Sequence, residues 1–180
     1  MKLQRPIGYP AAYARTFDLA DGRSVLIRPV VPADLPELAR ALSRSDAAAL
    51  RRLFLDGASP RSATALRRLV AVDYRMRFAV AAFAPDGTGV GIARYEGAST
   101  WPAVDVAVAV DDRWRGQGLG RELLGAVVQR AVEMGAGLLT ADCHAGNARI
   151  TDLLVAWSQS GQARELERAP ARPASGPRSG

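Results

Sequence analysis

The chain has 180 residues, 48% of them hydrophobic and 23% charged, which suits one ordinary domain and excludes a disordered chain. No window approaches the roughly 18 consecutive apolar residues of a membrane helix, so no membrane partner is expected. The formal charge is +6, but Arg168, Arg172 and Arg178 in the last 13 residues supply half of it, so no nucleic-acid partner is expected.

Residues 1–20 show no clear period and read as an N-terminal extension without the apolar stretch of a signal peptide. Ser24 to Val30 is short and β-branched, with prolines after it, and predicts a first strand. Leu35, Leu38, Ala39 and Leu42 then fall at helical spacing, and a second apolar helix is predicted over residues 46–55. Ser59 before Pro60 is a start signal for a third helix, continued by Leu66, Leu69 and Val70. The period then changes to two. Arg77 to Phe83, a PDGTG turn and Val90 to Glu96 predict an antiparallel hairpin, with Ala103 to Val110 as the next strand.

Leu119, Leu123, Val127 and Ala131 restore helical spacing until Gly135 and Gly137 close that helix. LLTADCH reads as a strand, ARITDLLVAWS as a helix and ARELER as one short final strand. The order is α/β, a largely antiparallel front half followed by a β–α–β unit. One domain is expected over residues 21–168, with a disordered basic tail at 169–180 that has little apolar surface to bury. Deleting residues 170–180 is expected to leave melting temperature and turnover intact. A melting temperature several degrees lower would show that the tail docks.

The informative segment lies where a strand hands over to a helix: Arg113, Trp114, Arg115, Gly116, Gln117, Gly118, Leu119, Gly120 and Arg121. Glycine admits close backbone approach and positive φ. A helix N-terminus offers unpaired N–H groups and the positive end of a dipole. Together with three arginines these predict a pyrophosphate cradle. The plainer reading is a tight turn using glycine for chain reversal alone. The spacing is neither a triphosphatase loop nor the dinucleotide fingerprint GxGxxG.

Asp105 is the second candidate. Strand alternation puts it on one face with Ala107 and Ala109, and Val104, Val106, Val108 and Val110 on the other. A carboxylate beside two alanines leaves room for a ligand, and partial burial would raise its pKa toward that of a useful base. The plainer reading is a surface aspartate at a strand start. Cys143 and His144 are the single residues of their types and point to opposite faces of a strand. A disulfide framework and a multi-Cys/His zinc site are thereby excluded, no metal is expected, and the default compartment is cytoplasmic. Asp73 and Tyr74 could line a cleft or pack against the first helices. Trp114 is expected to cover the phosphate turn. The Arg51–Arg52 and Arg67–Arg68 pairs read as solvated helix faces.

Arg113-Trp114-Arg115-Gly116-Gln117-Gly118 resembles the [Q/R]-x-x-G-x-[G/A] motif of the GNAT superfamily of acetyl-CoA-dependent N-acyltransferases. The front half, in IRPVVPADLPEL, VDYRMRFAVAA and VDVAVAVDDRWRGQGLG, is similar to the bacterial protein-lysine acetyltransferase branch. The resemblance covers about residues 21–160. It implies the GNAT fold, a mixed, mostly antiparallel splayed sheet flanked by helices. It also implies acetyl-CoA as co-substrate, with the pantetheine arm along Val108 to Val110 and pyrophosphate on the amides from Arg115 to Arg121. Asn147 corresponds to a family asparagine near that arm, and Asp105 to the branch's proposed glutamate base. Being one methylene shorter, Asp105 would act through water.

The implied reaction is direct acetyl transfer to a primary amine, a protein lysine or else a small-molecule amine. A catalytically weak acyl-CoA-binding regulatory module is the reading of another class. Leu154 stands where many members carry an acidic tyrosine, and SQSG replaces the usual Gly-Phe. The C-terminal strands are therefore expected to be shortened, missing, or swapped within a homodimer.

Overall fold

The computed structural model describes residues 4–44, 53, 62–97, 101–141 and 165–168. Among them, alternating β-branched and small residues build seven strands in one sheet, and each strand lies beside the next in chain order. They are β1 (Arg15–Asp18), β2 (Ser24–Pro29), β3 (Arg77–Phe83), β4 (Gly89–Gly97), β5 (Ala103–Val110), β6 (Leu138–Ala141) and β7 (Glu165–Arg168). The first five pair antiparallel, whereas β5–β6 and β6–β7 are parallel. This is the mixed, mostly antiparallel sheet that the sequence predicts. The β5–β6 register runs from Ala103 opposite Leu138 to Val106 opposite Ala141. Among the described residues nothing continues it past Val106.

Three helices are described: α1 (Leu35–Ser43), α2 (Ala63–Val70) and α3 (Leu119–Glu133). Helix α3 lies on one face of the sheet. Its Leu119, Leu123, Val127 and Ala131 are buried with Phe78, Val80, Ala93, Tyr95, Val104 and Val106. On the other face, Leu38 and Leu42 of α1 and Leu69 of α2 pack with Ala79, Ala81, Ile92, Ala107 and Ala109. The odd and even residues of β5 thus serve two different cores, as strand alternation requires.

A β-carbon at Gly91 would lie 2.9 Å from Leu123 Cδ1, so the missing side chain lets α3 settle directly on β4. Replacing Leu123, which is fully buried, with alanine would open a cavity there. The expected cost is about 2–5 kcal/mol, read as a lower denaturant midpoint.

Ser62 caps α2, its Oγ accepting the Ala65 N–H at 3.1 Å. The start signal read at Ser59 and Pro60 lies outside the described residues. So do most of the helix over 46–55, the Arg51–Arg52 pair, Cys143, His144, Asn147 and Leu154. Leu53 is described, helical and buried.

Part of the N-terminal stretch that showed no period is anchored to the fold. Tyr13 and Leu19 are buried, and β1 pairs with β2 from Arg15 opposite Ile27 to Asp18 opposite Ser24. Its four residues are too few to display a period. No described helix is long and apolar enough to cross a membrane.

Candidate active site

Where β5 ends, the Asp111 carboxylate accepts the Arg113 N–H at 3.1 Å and starts a single 3-10 turn, Asp112–Trp114. Burial pushes this carboxyl up, but bonds from the Arg113 guanidinium and amide outweigh it and hold the group below its ordinary value. Gly116 (φ 76°) and Gly118 (φ 87°) then carry the chain into α3. A β-carbon on Gly116 would meet nothing within 4 Å, so what this glycine supplies is the left-handed backbone. Gly120 differs. Its β-carbon would sit 3.6 Å from Val110 Cγ2, where α3 packs close against β5.

Gly118 is the helix N-cap, and the Glu122 N–H donates to its carbonyl at 3.1 Å. The amides of Leu119, Gly120 and Arg121 precede that bond and have no acceptor within the helix. They stand at the positive end of the α3 dipole. Such an arrangement accepts an anion.

The side chains of the turn divide by task. Arg115 Nε donates to the Val110 carbonyl at 3.0 Å and Nη2 pairs with Asp112 at 2.8 Å, so this guanidinium braces the turn. Arg113 is 72% exposed and reaches Asp111 at 3.3 Å. Arg121 is exposed, and Gln117 is half-buried. Trp114 packs against the core, with the Arg23 guanidinium 3.9 Å from its ring centroid. Val108 and Val110 are half-buried and turn their side chains to the α3 face.

On the opposite face an open cleft lies between α1 and the ends of β4 and β5. Leu38, Ala41, Gly91, Ala109 and Asp111 line it. The same face of β5 continues through Ala107 to Asp105, about 13 Å of strand from Ala109 at ~3.3 Å per residue.

Asp105 is half-buried and sits directly opposite Glu96 of β4 on one side and Thr140 of β6 on the other. Glu96 is held by two arginines. The buried Arg94 pairs with it and also donates to the Leu53 carbonyl at 3.5 Å, while Arg68 reaches in from α2 at 3.5 Å. Arg67 and Arg68 are both exposed on α2, as their pairing suggested, and Arg68 reaches Glu96 from that solvated face. Arg94 and Glu96 were not singled out in the sequence. The signal was present as polar residues at period two in an otherwise apolar strand, but their position beside Asp105 depends on the β4–β5 register.

Tyr74 does not line this cleft. It is buried in the core, donates its hydroxyl to the Val30 carbonyl at 3.0 Å, and burial pushes its phenol up to about 12. Asp73 is likewise structural. Burial raises its carboxyl, but N–H bonds from Arg77, Arg75 and Met76 outweigh that and hold it below the usual range. Among the described residues no group of three or more His, Cys, Asp or Glu gathers that could hold a metal ion.

Comparison with known proteins matches this architecture. The model of the acetyltransferase (GNAT) domain family matches residues 24–155. A curated acetyltransferase of Pseudomonas aeruginosa is 31% identical over 147 residues, 80% of this chain and 79% of its own. Among solved structures, the GNAT domain of PAT from S. lividans superposes with a TM-score of 0.70 at 24% identity, covering 82% of this chain and 88% of that one. A ribosomal-protein-alanine N-acetyltransferase from Brucella melitensis gives 0.58 at 26% identity, over 73% and 82% of the two chains. With a family match spanning β2 to β6, the glycine turn and α3, the chain belongs to the GNAT family of acetyl-CoA-dependent N-acetyltransferases.

Proposed function

We propose that this enzyme transfers the acetyl group of acetyl-CoA to the side-chain amine of a protein lysine by direct attack. The observation that carries the reading is one continuous path. The turn that leads to the first amides of α3 begins at Asp111, which also lines the cleft beside Ala109, and the same strand face leads back to Asp105. In this reading the pyrophosphate rests on amides between Arg115 and Arg121, and the pantetheine arm follows Val108 to Val110. Asn147 stands near that arm by the family pattern. A backbone N–H of β5 holds the oxyanion as the deprotonated amine adds to the thioester carbonyl. Asp105 accepts the amine proton through a bridging water.

The charge around Asp105 supports a single lysine over a polycation. Glu96 is compensated by Arg94 and Arg68, and Asp73 by Arg77 at 3.4 Å. A site built to steer polyamines needs uncompensated carboxylates in a cluster. One solved neighbour is, by its name, a ribosomal-protein-alanine N-acetyltransferase, so a protein acceptor is compatible with this fold. The test is kcat/KM on lysine peptides and folded proteins against spermidine and aminoglycosides. The expected result favours the lysine substrates. A tenfold or greater preference for a small amine, ~1.4 kcal/mol, would overturn the acceptor while leaving the donor site standing.

A further inference from the structure

Among the described residues, the β1–β2 hairpin touches the turn between β5 and α3, and the first turn of that helix, at three points. At the first, the Arg23 guanidinium stacks 3.9 Å from the Trp114 ring centroid and Nη2 donates to the Arg113 carbonyl at 3.0 Å. Asp21, in the hairpin's own turn, holds that guanidinium at 2.6 Å. At the second, Phe17 Cζ stands 3.8 Å from where a β-carbon on Gly118 would be. At the third, Arg15 of β1 pairs with Glu122 in the first turn of α3 at 2.6 Å.

We infer that this hairpin is a clamp that preorganises the glycine turn for the phosphates of the CoA donor, with Arg23 as its main positioning residue. The inference rests on the reading that those phosphates occupy the turn. The physical need is plain. Gly116 and Gly118 give the turn its left-handed backbone, and glycine also loses the most conformational freedom on ordering. A turn that must order as the ligand arrives gives up affinity, and one already held does not. Fixing the Arg113 carbonyl outward sets the peptide planes that follow it. Arg15 adds a second effect. Glu122 places a negative charge one helical turn from the anion site, and the Arg15 guanidinium neutralises it. Each hairpin arginine meets a carboxylate, so the clamp acts by geometry and adds little net field.

The test uses Arg23→Met, which keeps an apolar stem over Trp114 but loses the donors, and Arg23→Lys, which keeps a cation over the ring. The first readout is amide hydrogen exchange of residues 113–121 in the unliganded protein. Exchange should quicken in Arg23→Met and stay closer to wild type in Arg23→Lys. The second is calorimetric affinity for CoA, expected to weaken about tenfold in Arg23→Met, ~1.4 kcal/mol, and less in Arg23→Lys. The third is the ratio of kcat/KM for acetyl-CoA to that for S-acetyl-pantetheine, which lacks the phosphates. That ratio should fall by the same factor.

Wild-type exchange and affinity in both variants would overturn the clamp, and so would equal losses on the two donors. If Arg23→Met does not fold, Arg15→Gln probes the other end of the clamp by the same exchange measurement. A wild-type protein that fails to bind CoA would sink the donor reading itself. Wild-type binding with unchanged variants would sink the clamp alone.

Discussion

Replacing Asp105 with asparagine is expected to lower turnover by about 10²–10⁴-fold, the range for losing a positioned general base, while leaving CoA affinity unchanged. The two observables separate because of where the residue sits. Asp105 lies near the start of β5, four residues from the cleft residue Ala109 and farther still from the glycine turn. Asparagine is nearly isosteric and can keep hydrogen bonds to the same face, so the fold should hold. A lysine ammonium with an ordinary pKa near ~10.4 must lose its proton before attack. The deficit should therefore shrink as the pH rises and the amine deprotonates unaided. A folded Asp105→Asn enzyme with a wild-type pH–rate profile would show that the carboxylate is structural. Glu96 offers an internal control, since it faces Asp105 across the strand pair yet is already bound to Arg94 and Arg68.

Gly118→Val should weaken CoA binding by roughly tenfold or more, ~1.4 kcal/mol. Space is not the main obstacle, because the nearest atom to an added β-carbon is Phe17 Cζ at 3.8 Å. The obstacle is the backbone. Gly118 holds φ 87°, and a β-branched residue there is a genuine outlier. Relaxing that angle swings the first amides of α3 away from their common focus, and the helix keeps its length while its anion site is lost. Calorimetry with CoA on the folded variant measures the effect, and unchanged affinity would remove the phosphates from this turn.

Much of this architecture was legible because its signals are local. The period-two runs of β3, β4 and β5 and the i, i+4 spacing of Leu119, Leu123, Val127 and Ala131 each depend on one segment alone. The glycine turn was legible for the same reason, although its glycines proved unequal. Gly116 and Gly118 carry left-handed backbone, whereas Gly120 serves helix packing.

What escaped the sequence depends on contacts between distant segments. Arg94 and Glu96 read as ordinary strand polar residues until the register placed Glu96 opposite Asp105. A connection between β4 and β5 does not fix that register by its length. Arg23 and Trp114 are 3.9 Å apart in space and far apart in sequence, and nothing in either neighbourhood announces the stack. β1 was missed because four residues give no period, and its evidence is the partner strand β2.

The central claim is that this chain moves an acetyl group from acetyl-CoA to a lysine amine, and the most direct measurement follows that group. The purified enzyme is incubated with acetyl-labelled acetyl-CoA and a mixed panel of lysine peptides, folded proteins, polyamines and aminoglycosides. Label should leave the thioester and appear as a stable amide on lysine side chains, with free CoA released in equal amount, and Asp105→Asn should suppress both. Tight binding of acetyl-CoA by wild type with no label on any amine would contradict the account and identify the chain as a binding module.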